Sequence, residues 1–263
     1  DAQTGEQRKI LASVDLLPTI RFSPQGSFLA IATANAVQLQ STSADINTAP
    51  IWKISAEEAS QSDYPNATLP LSFSNDGTRL TISRSQNSDS VQLQQIQVNT
   101  GEILHNLTLE LGEYIQPVAS PNGEIAAYVS ENEDTRQEEI SLIEIATGKA
   151  VQTITTERTD PRDIRSLAFS PDGNMLASAY SSGSIDVHTL SSQATASLPP
   201  IEQYSGFGLA FQDNRSLLIR DQTWITESDQ PVLRDRYVLI NAQTGQPKQQ
   251  FETVKNTFSP SFS

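Results

Sequence analysis

Between Ile164 and Leu190, apolar and polar residues alternate with a period of two, broken at short intervals by turn residues. Ile164 to Phe169 carries Leu167 and Phe169 on one side of a half-buried strand. Ser170-Pro171-Asp172-Gly173 interrupts the alternation as a tight turn. Proline presets φ at its second position, and glycine accepts the positive φ at its end. Met175 to Tyr180 reads as a small, mostly apolar second strand, and Ser181-Ser182-Gly183 as a hairpin turn. In a third strand, Ser184 to Leu190, Ile185 and Val187 alternate with Asp186 and His188. A looser fourth strand falls between Gln193 and Leu198. The prediction for this stretch is four short antiparallel strands joined by turns.

The same pattern recurs along the chain. Its turn appears as Phe22-Ser23-Pro24-Gln25-Gly26, Phe73-Ser74-Asn75-Asp76-Gly77, Ala119-Ser120-Pro121-Asn122-Gly123 and Phe169-Ser170-Pro171-Asp172-Gly173. A worn copy is Phe211-Gln212-Asp213-Asn214, and Phe258-Ser259-Pro260 begins one more. The first positions are 51, 46, 50, 42 and 47 residues apart. A second motif keeps constant phase with the first: Ile96 to Gly101, Ile143 to Gly148 and Ile240 to Gly245 each end in Thr-Gly, as does Asp1 to Gly5. There Thr-Gly closes a hairpin between third and fourth strands. A period in the forties with strand content predicts an all-β fold, a β-propeller of four-stranded antiparallel blades. Five whole repeats are expected over 15–68, 69–112, 113–163, 164–204 and 205–254. Partial repeats flank them: a fourth strand at Arg8 to Ser13, and a first strand with its turn at Asn256 to Ser263. On this phase about 20 further residues would complete six blades and about 60 would give seven. The expectation is a single propeller domain over 1–263 that belongs to a longer chain.

The stretch LAFSPDGNMLASAYSSGSIDVHTL, Leu167 to Leu190, resembles the strand-turn-strand core of the WD40 family, and the resemblance extends over nearly the whole chain. The family's Trp-Asp dipeptide is absent. Its slots hold Ile143-Glu144, His188-Thr189, Ile240-Asn241 and Ile96-Gln97, and no Gly-His pair exists for the family's buried hydrogen-bond network. The chain is similar to divergent, bacterial-style WD40-like propellers, and the TolB-type propellers share the Ser-Pro-Asp-Gly turn. The resemblance implies an interaction scaffold.

Composition narrows the chemistry. At 37% hydrophobic residues the chain can bury a core, and no run approaches 18 apolar residues. A net charge of -14 counts against nucleic acid and against anionic membrane surfaces. The absence of cysteine excludes disulfides, thiolate zinc sites and cysteine nucleophiles. Two histidines do not make a multi-histidine metal site. The expectation is therefore a soluble protein with no cofactor, no metal, no nucleic-acid partner and no direct membrane insertion. The cytoplasm is favoured over the periplasm or another extracytoplasmic compartment. Nothing in the sequence bears on oligomeric state.

Candidate contacts lie in the connections between second and third strands and between repeats, where length varies most. The stretches Ser130 to Glu138 and Asp221 to Asp235 read as long loops, and Ala56 to Thr68 as a long connection. They carry Glu131, Glu133, Asp134, Asp229 and Asp235, which form either a solvated acidic rim or a docking rim for a basic protein or peptide. Trp224 is either a plug against the base of its loop or an exposed anchor. Tyr64, before Pro65, is a further candidate contact, whereas Trp52 alternates like a blade-packing residue. No catalytic residue is expected. His188 reads as blade packing bonded to a serine and oriented by Asp186, and His105 as a solvated fourth-strand residue. Gly-x-Ser-x-Gly, phosphate-loop and dinucleotide motifs are all absent. The function expected is a non-catalytic scaffold for a protein or peptide partner. The alternative is a propeller with a small-molecule or catalytic site in its central channel.

Overall fold

Twenty strands form five four-stranded antiparallel sheets, each in sequential order. The computed structural model describes residues 19–33, 36–43, 48–55, 71–85, 90–110, 115–132, 134–135, 137–155, 164–199, 208–227 and 230–252, with 85, 221–227 and 230–234 described by backbone alone. Among them no helix occurs. The partial repeats expected at the two ends lie outside the described residues.

Two units divide the chain, Asp1–Leu109 and Glu110–Phe262. The first holds two sheets. One comprises β1 (Thr19–Phe22), β2 (Phe28–Thr33), β3 (Ala36–Ser41) and β4 (Trp52–Ser55). The other comprises β5 (Leu71–Phe73), β6 (Arg79–Ser85), β7 (Ser90–Gln97) and β8 (Ile103–Glu110). Their facing sides bury Ala30, Val37 and Leu39 against Leu71, Leu80, Ile82 and Ile96. Trp52 completes the contact, donating its indole Nε1 to the Val98 carbonyl at 2.7 Å. It is a packing residue between sheets, as its alternation predicts.

Three sheets make up the second unit. The first of them contains β9 (Val118–Ala119), β10 (Ile125–Glu131), β11 (Glu138–Glu144) and β12 (Ala150–Thr155). Next come β13 (Ile164–Phe169), β14 (Met175–Tyr180), β15 (Ile185–Thr189) and β16 (Ala194–Leu198). The last contains β17 (Gly208–Asp213), β18 (Ser216–Glu227), β19 (Gln230–Asn241) and β20 (Pro247–Glu252). Successive sheets bury apolar faces on one another: Leu167 and Leu176 against Val129 and Leu142, then Leu217 and Val238 against Ala177 and Val187. Middle strands are mostly buried, whereas the fourth strands are mostly exposed. That gradient follows from position, since the fourth strand is always an edge of its sheet.

The recurring turn owes its shape to serine and glycine more than to proline. In four repeats the glycine N–H donates to the serine carbonyl at 2.8 Å, and each glycine has φ near +70°. The turn with Asn75 in the proline position closes identically. Ser23, Ser74, Ser120 and Ser170 are buried, and each Oγ accepts the N–H five residues on at 2.9–3.0 Å. In three of the four, Oγ also donates to the Asp or Asn two residues on: Asp76 at 2.6 Å, Asn122 at 2.7 Å and Asp172 at 2.6 Å. The worn copy lacks serine and glycine and shortens to Asn214-Arg215 between paired Asp213 and Ser216. The Thr-Gly motif closes β7–β8, β11–β12 and β19–β20 as expected, each glycine donating to the carbonyl four residues back at 2.8 Å.

Candidate functional site

The longest hairpin in the fold is the one the sequence reads as a loop. Residues 221–235 are strand on both arms: β18 and β19 each run twelve residues and stay in register from Ser216↔Asn241 to Glu227↔Gln230. Among the described residues the other two strands of the sheet do not follow them. β17 pairs with β18 only as far as Arg220, and β20 pairs with β19 only as far back as Arg236. The remainder is a two-stranded ribbon extending roughly 20 Å beyond the sheet at the usual rise per residue. Among the described residues, its two arms pair only with each other.

A charged knot holds the ribbon at its root. Arg220 donates through Nη2 to both carboxylate oxygens of Asp235 at 3.2 Å, and both side chains are half-buried. Tyr237 stands opposite Arg220 in the ladder and is buried, and burial pushes its hydroxyl above its ordinary pKa. Asp235, expected as a rim acid, is thus tied to Arg220. Trp224 lies midway along the ribbon opposite Leu233, with Ile225 opposite Val232. Asp229, at the tip, lies outside the described residues. Sequence reading missed Arg220 and Tyr237; each borders an apolar run, Leu217 to Ile219 and Val238 to Ile240, that indicates strand, but no local pattern marks the two as a pair.

The acidic segment 131–139 is shorter than expected, since β10 runs to Glu131 and β11 starts at Glu138. Asn132 organises the turn between them. Its Oδ1 accepts the N–H groups of Asp134 and Thr135 at 3.0 Å, and its Nδ2 donates to Glu139 at 2.6 Å. Glu138 is buried and accepts the Ile164 N–H at 3.0 Å, joining β11 to the next sheet. Glu131 and Asp134 are exposed. Glu133 and Tyr64 lie outside the described residues. The structure therefore separates the acids by role: two serve the fold and two face solvent.

His188 is buried, with Nε2 3.0 Å from Ser178 Oγ and Nδ1 2.9 Å from Thr195 Oγ1. Ser178 in turn donates to the Tyr180 hydroxyl at 3.2 Å. Burial lowers the imidazole pKa, and the nearby Asp186 opposes that shift. Both ring nitrogens are engaged within one sheet, so His188 is a structural tie. His105 is half-buried in β8. Among the described residues no group of three His, Asp or Glu side chains is arranged to hold a metal ion. No helix among them is long and apolar enough to cross a membrane.

Comparison with known proteins agrees with this architecture. Residues 119–214 match the WD40 domain family of anaphase-promoting complex subunit 4. The chain is similar in structure to hydrazine synthase of Kuenenia stuttgartiensis, at 19% identity and a TM-score of 0.55 over 90% of this chain and 66% of that one. It is also similar to U3-55K, at 11% identity and a TM-score of 0.60 over 90% of this chain and 64% of that one. This chain thus spans just under two thirds of the length of both. No curated protein matches it in sequence. Because 1284 solved chains match, the likeness shows a fold that serves many ends and selects no function among them. The repeat period, the five four-stranded sheets and the match over residues 119–214 together make the chain similar to WD40-like β-propellers.

Proposed function

We propose that this protein is a non-catalytic scaffold that binds a protein or peptide through the tips of its second-to-third-strand hairpins. WD40 propellers commonly serve as interaction scaffolds, which gives the reading its starting point. The observation that supports it most is the ribbon over 221–235, anchored at Arg220–Asp235 and carrying Trp224 and Ile225 on a β18 arm that leaves its sheet. A two-stranded ribbon gains little from its own pairing in water. Its edges, with which no described strand pairs, suit strand addition by a partner, and an aromatic residue at its middle suits anchoring. Glu131 and Asp134 face solvent on another hairpin of the same kind and favour a basic partner. By sequence, Glu133 and Asp229 belong with these contacts, and Tyr64 is proposed as a separate partner contact. The recurring turn motif at Phe258-Ser259-Pro260 supports a sixth sheet starting there, within a single propeller domain.

The experiment places a photo-crosslinking amino acid at position 224 in the cells that make the protein. A single cross-linked partner, lost when 222–234 is replaced by a two-residue turn that leaves Tm unchanged, is the expected result. Cross-links only within the chain, together with a Tm that falls on shortening, would show that the ribbon serves the fold instead.

A further inference from the structure

Arg84 lies in β6, on the same side as Leu80 and Ile82 of the apolar core. Gln92 stands opposite it in the ladder and Gln94 stands opposite Ile82, so the three polar residues share one face. Arg84 and Gln94 are diagonal neighbours, roughly 7 Å apart at Cβ. Nε and Nη2 of Arg84 are buried, and no acceptor among the described residues lies within hydrogen-bonding distance of either. These two atoms form one edge of the guanidinium, the edge whose parallel N–H groups fit the two oxygens of a carboxylate. Gln94 is 7% exposed, and its Oε1 is likewise buried without a donor. Burial alone lowers the Arg84 pKa, with no carboxylate acting against it. The chain has 31 acidic residues against 17 Lys and Arg, so an acidic partner could readily have been supplied from within. Arg84 as a whole is half-buried, so part of the residue reaches solvent while its Nε–Nη2 edge is covered and is uncovered by a side-chain movement when a ligand binds.

A desolvated cation without a partner is costly, and a buried amide oxygen without a donor adds to that cost. Two donors on one edge and an acceptor beside them define a complementary ligand: two acceptor oxygens with an N–H next to them. Sulfate or a phosphodiester, which has no donor, would satisfy Arg84 and leave Gln94 unmet. A peptide terminus satisfies both. We propose that this part of the β5–β8 sheet binds the terminal carboxylate of a peptide, which accepts from Arg84 Nε and Nη2 while the adjoining amide N–H donates to Gln94 Oε1. The idea deepens the scaffold reading and rests on it for its biological sense.

The test uses the whole chain with N-acetylglycine, acetate and N-acetylglycinamide at matched ionic strength. Two signals are followed: the Arg84 Nε–H resonance, assigned by its loss in Arg84→Met, and Tm. N-acetylglycine should shift the resonance saturably at millimolar concentration and raise Tm. Acetate, lacking the N–H, should bind roughly fivefold more weakly, as one hydrogen bond implies. The carboxamide should do neither. Arg84→Lys, which keeps the charge and removes the edge, should abolish saturation, and Gln94→Met should reduce N-acetylglycine to the level of acetate. Equal binding of acetate and N-acetylglycine would overturn the peptide assignment. Absence of a saturable response, or equal binding of the carboxamide, would overturn the site. So would a large fall in Tm on Arg84→Met, because an acid of the chain would then already hold the guanidinium. The cross-link at position 224 is read independently, so failure here leaves the scaffold reading separately testable.

Discussion

Replacing Ser170 by alanine removes one oxygen and two short hydrogen bonds of different kinds, together with a longer 3.3 Å contact from the same hydroxyl to the Met175 carbonyl. Oγ accepts the Met175 N–H at 2.9 Å and donates to the Asp172 carboxylate at 2.6 Å, and the serine is fully buried. A neutral bond of the first kind contributes about 1 kcal/mol, and one to a carboxylate about 1.5–3 kcal/mol. Asp172 is exposed, so the second bond belongs at the low end of its range, and the sum is about 2–3 kcal/mol. Ser23→Ala is the internal control. Ser23 accepts the Phe28 N–H at 3.0 Å, but Gln25 stands where the other repeats have Asp or Asn. It should cost about 1 kcal/mol. Urea unfolding at pH 7 measures both substitutions. The difference must also depend on pH. Ser170 is the largest cause holding the Asp172 carboxyl below its ordinary 3.8. A carboxyl depressed in the folded state contributes stability above the unfolded pKa and loses it as pH falls through the folded one. The excess cost of Ser170→Ala should therefore shrink below about pH 4, and in the variant the Asp172 carboxyl should titrate closer to 3.8. Equal costs at Ser23 and Ser170, or a difference unchanged by acid, would refute the carboxylate-capped turn.

Further expectations follow from single contacts. Gly101 has φ +74°, and an added Cβ would lie 2.7 Å from Trp52 Cγ, whereas Gly26 has φ +70° with nothing within 4 Å. Gly26→Ala should cost about 1–2 kcal/mol from backbone strain alone, and Gly101→Ala clearly more; equal urea midpoints would mean the indole moves aside freely. His188, lowered by burial, stays neutral in the fold while the unfolded chain takes up a proton below about pH 6.5. Stability should thus fall with acid from that point, and His188→Gln should flatten the slope in thermal unfolding between pH 7 and 5. Asp235→Asn should cost about 1 kcal/mol. It should speed hydrogen exchange along 221–227 while β14 and β15 keep their protection; unchanged exchange in the ribbon would detach Arg220–Asp235 from its support.

What the sequence could and could not reveal follows from how each element is held. β13 and β14 match their predicted bounds at Ile164–Phe169 and Met175–Tyr180, because burial on both faces and a serine-glycine turn leave one register for the strands. The Thr-Gly hairpins were equally legible, since left-handed backbone at a fixed phase requires glycine. Gln193 shows the limit of that rule: it takes φ +56° in the β15–β16 turn without being glycine. The ribbon misled because, among the described residues, no strand but β19 pairs with β18 beyond Arg220. Arg234-Asp235-Arg236 and Pro231 accordingly have the composition of a loop, although the backbone continues the ladder.

Cross-strand convergence hid the remaining features. Asp235 and Arg220 are fifteen residues apart and meet only because the hairpin folds about the residues between Glu227 and Gln230. Arg84 and Gln94 share a face for the same reason, being ten residues apart and placed together by the pairing of β6 with β7. In both cases register decides which polar groups meet, and local pattern does not show it. The two pairs differ in outcome: Arg220 finds its carboxylate within its own hairpin, whereas no described residue brings one to the buried edge of Arg84. A repeat fold keeps its strands nearly constant and varies what the register juxtaposes from sheet to sheet. Recognition in such a fold is to be sought where a repeat leaves polar groups unmet, as at Arg84 and Gln94 among the described residues, or where strands run past their described neighbours, as β18 and β19 do.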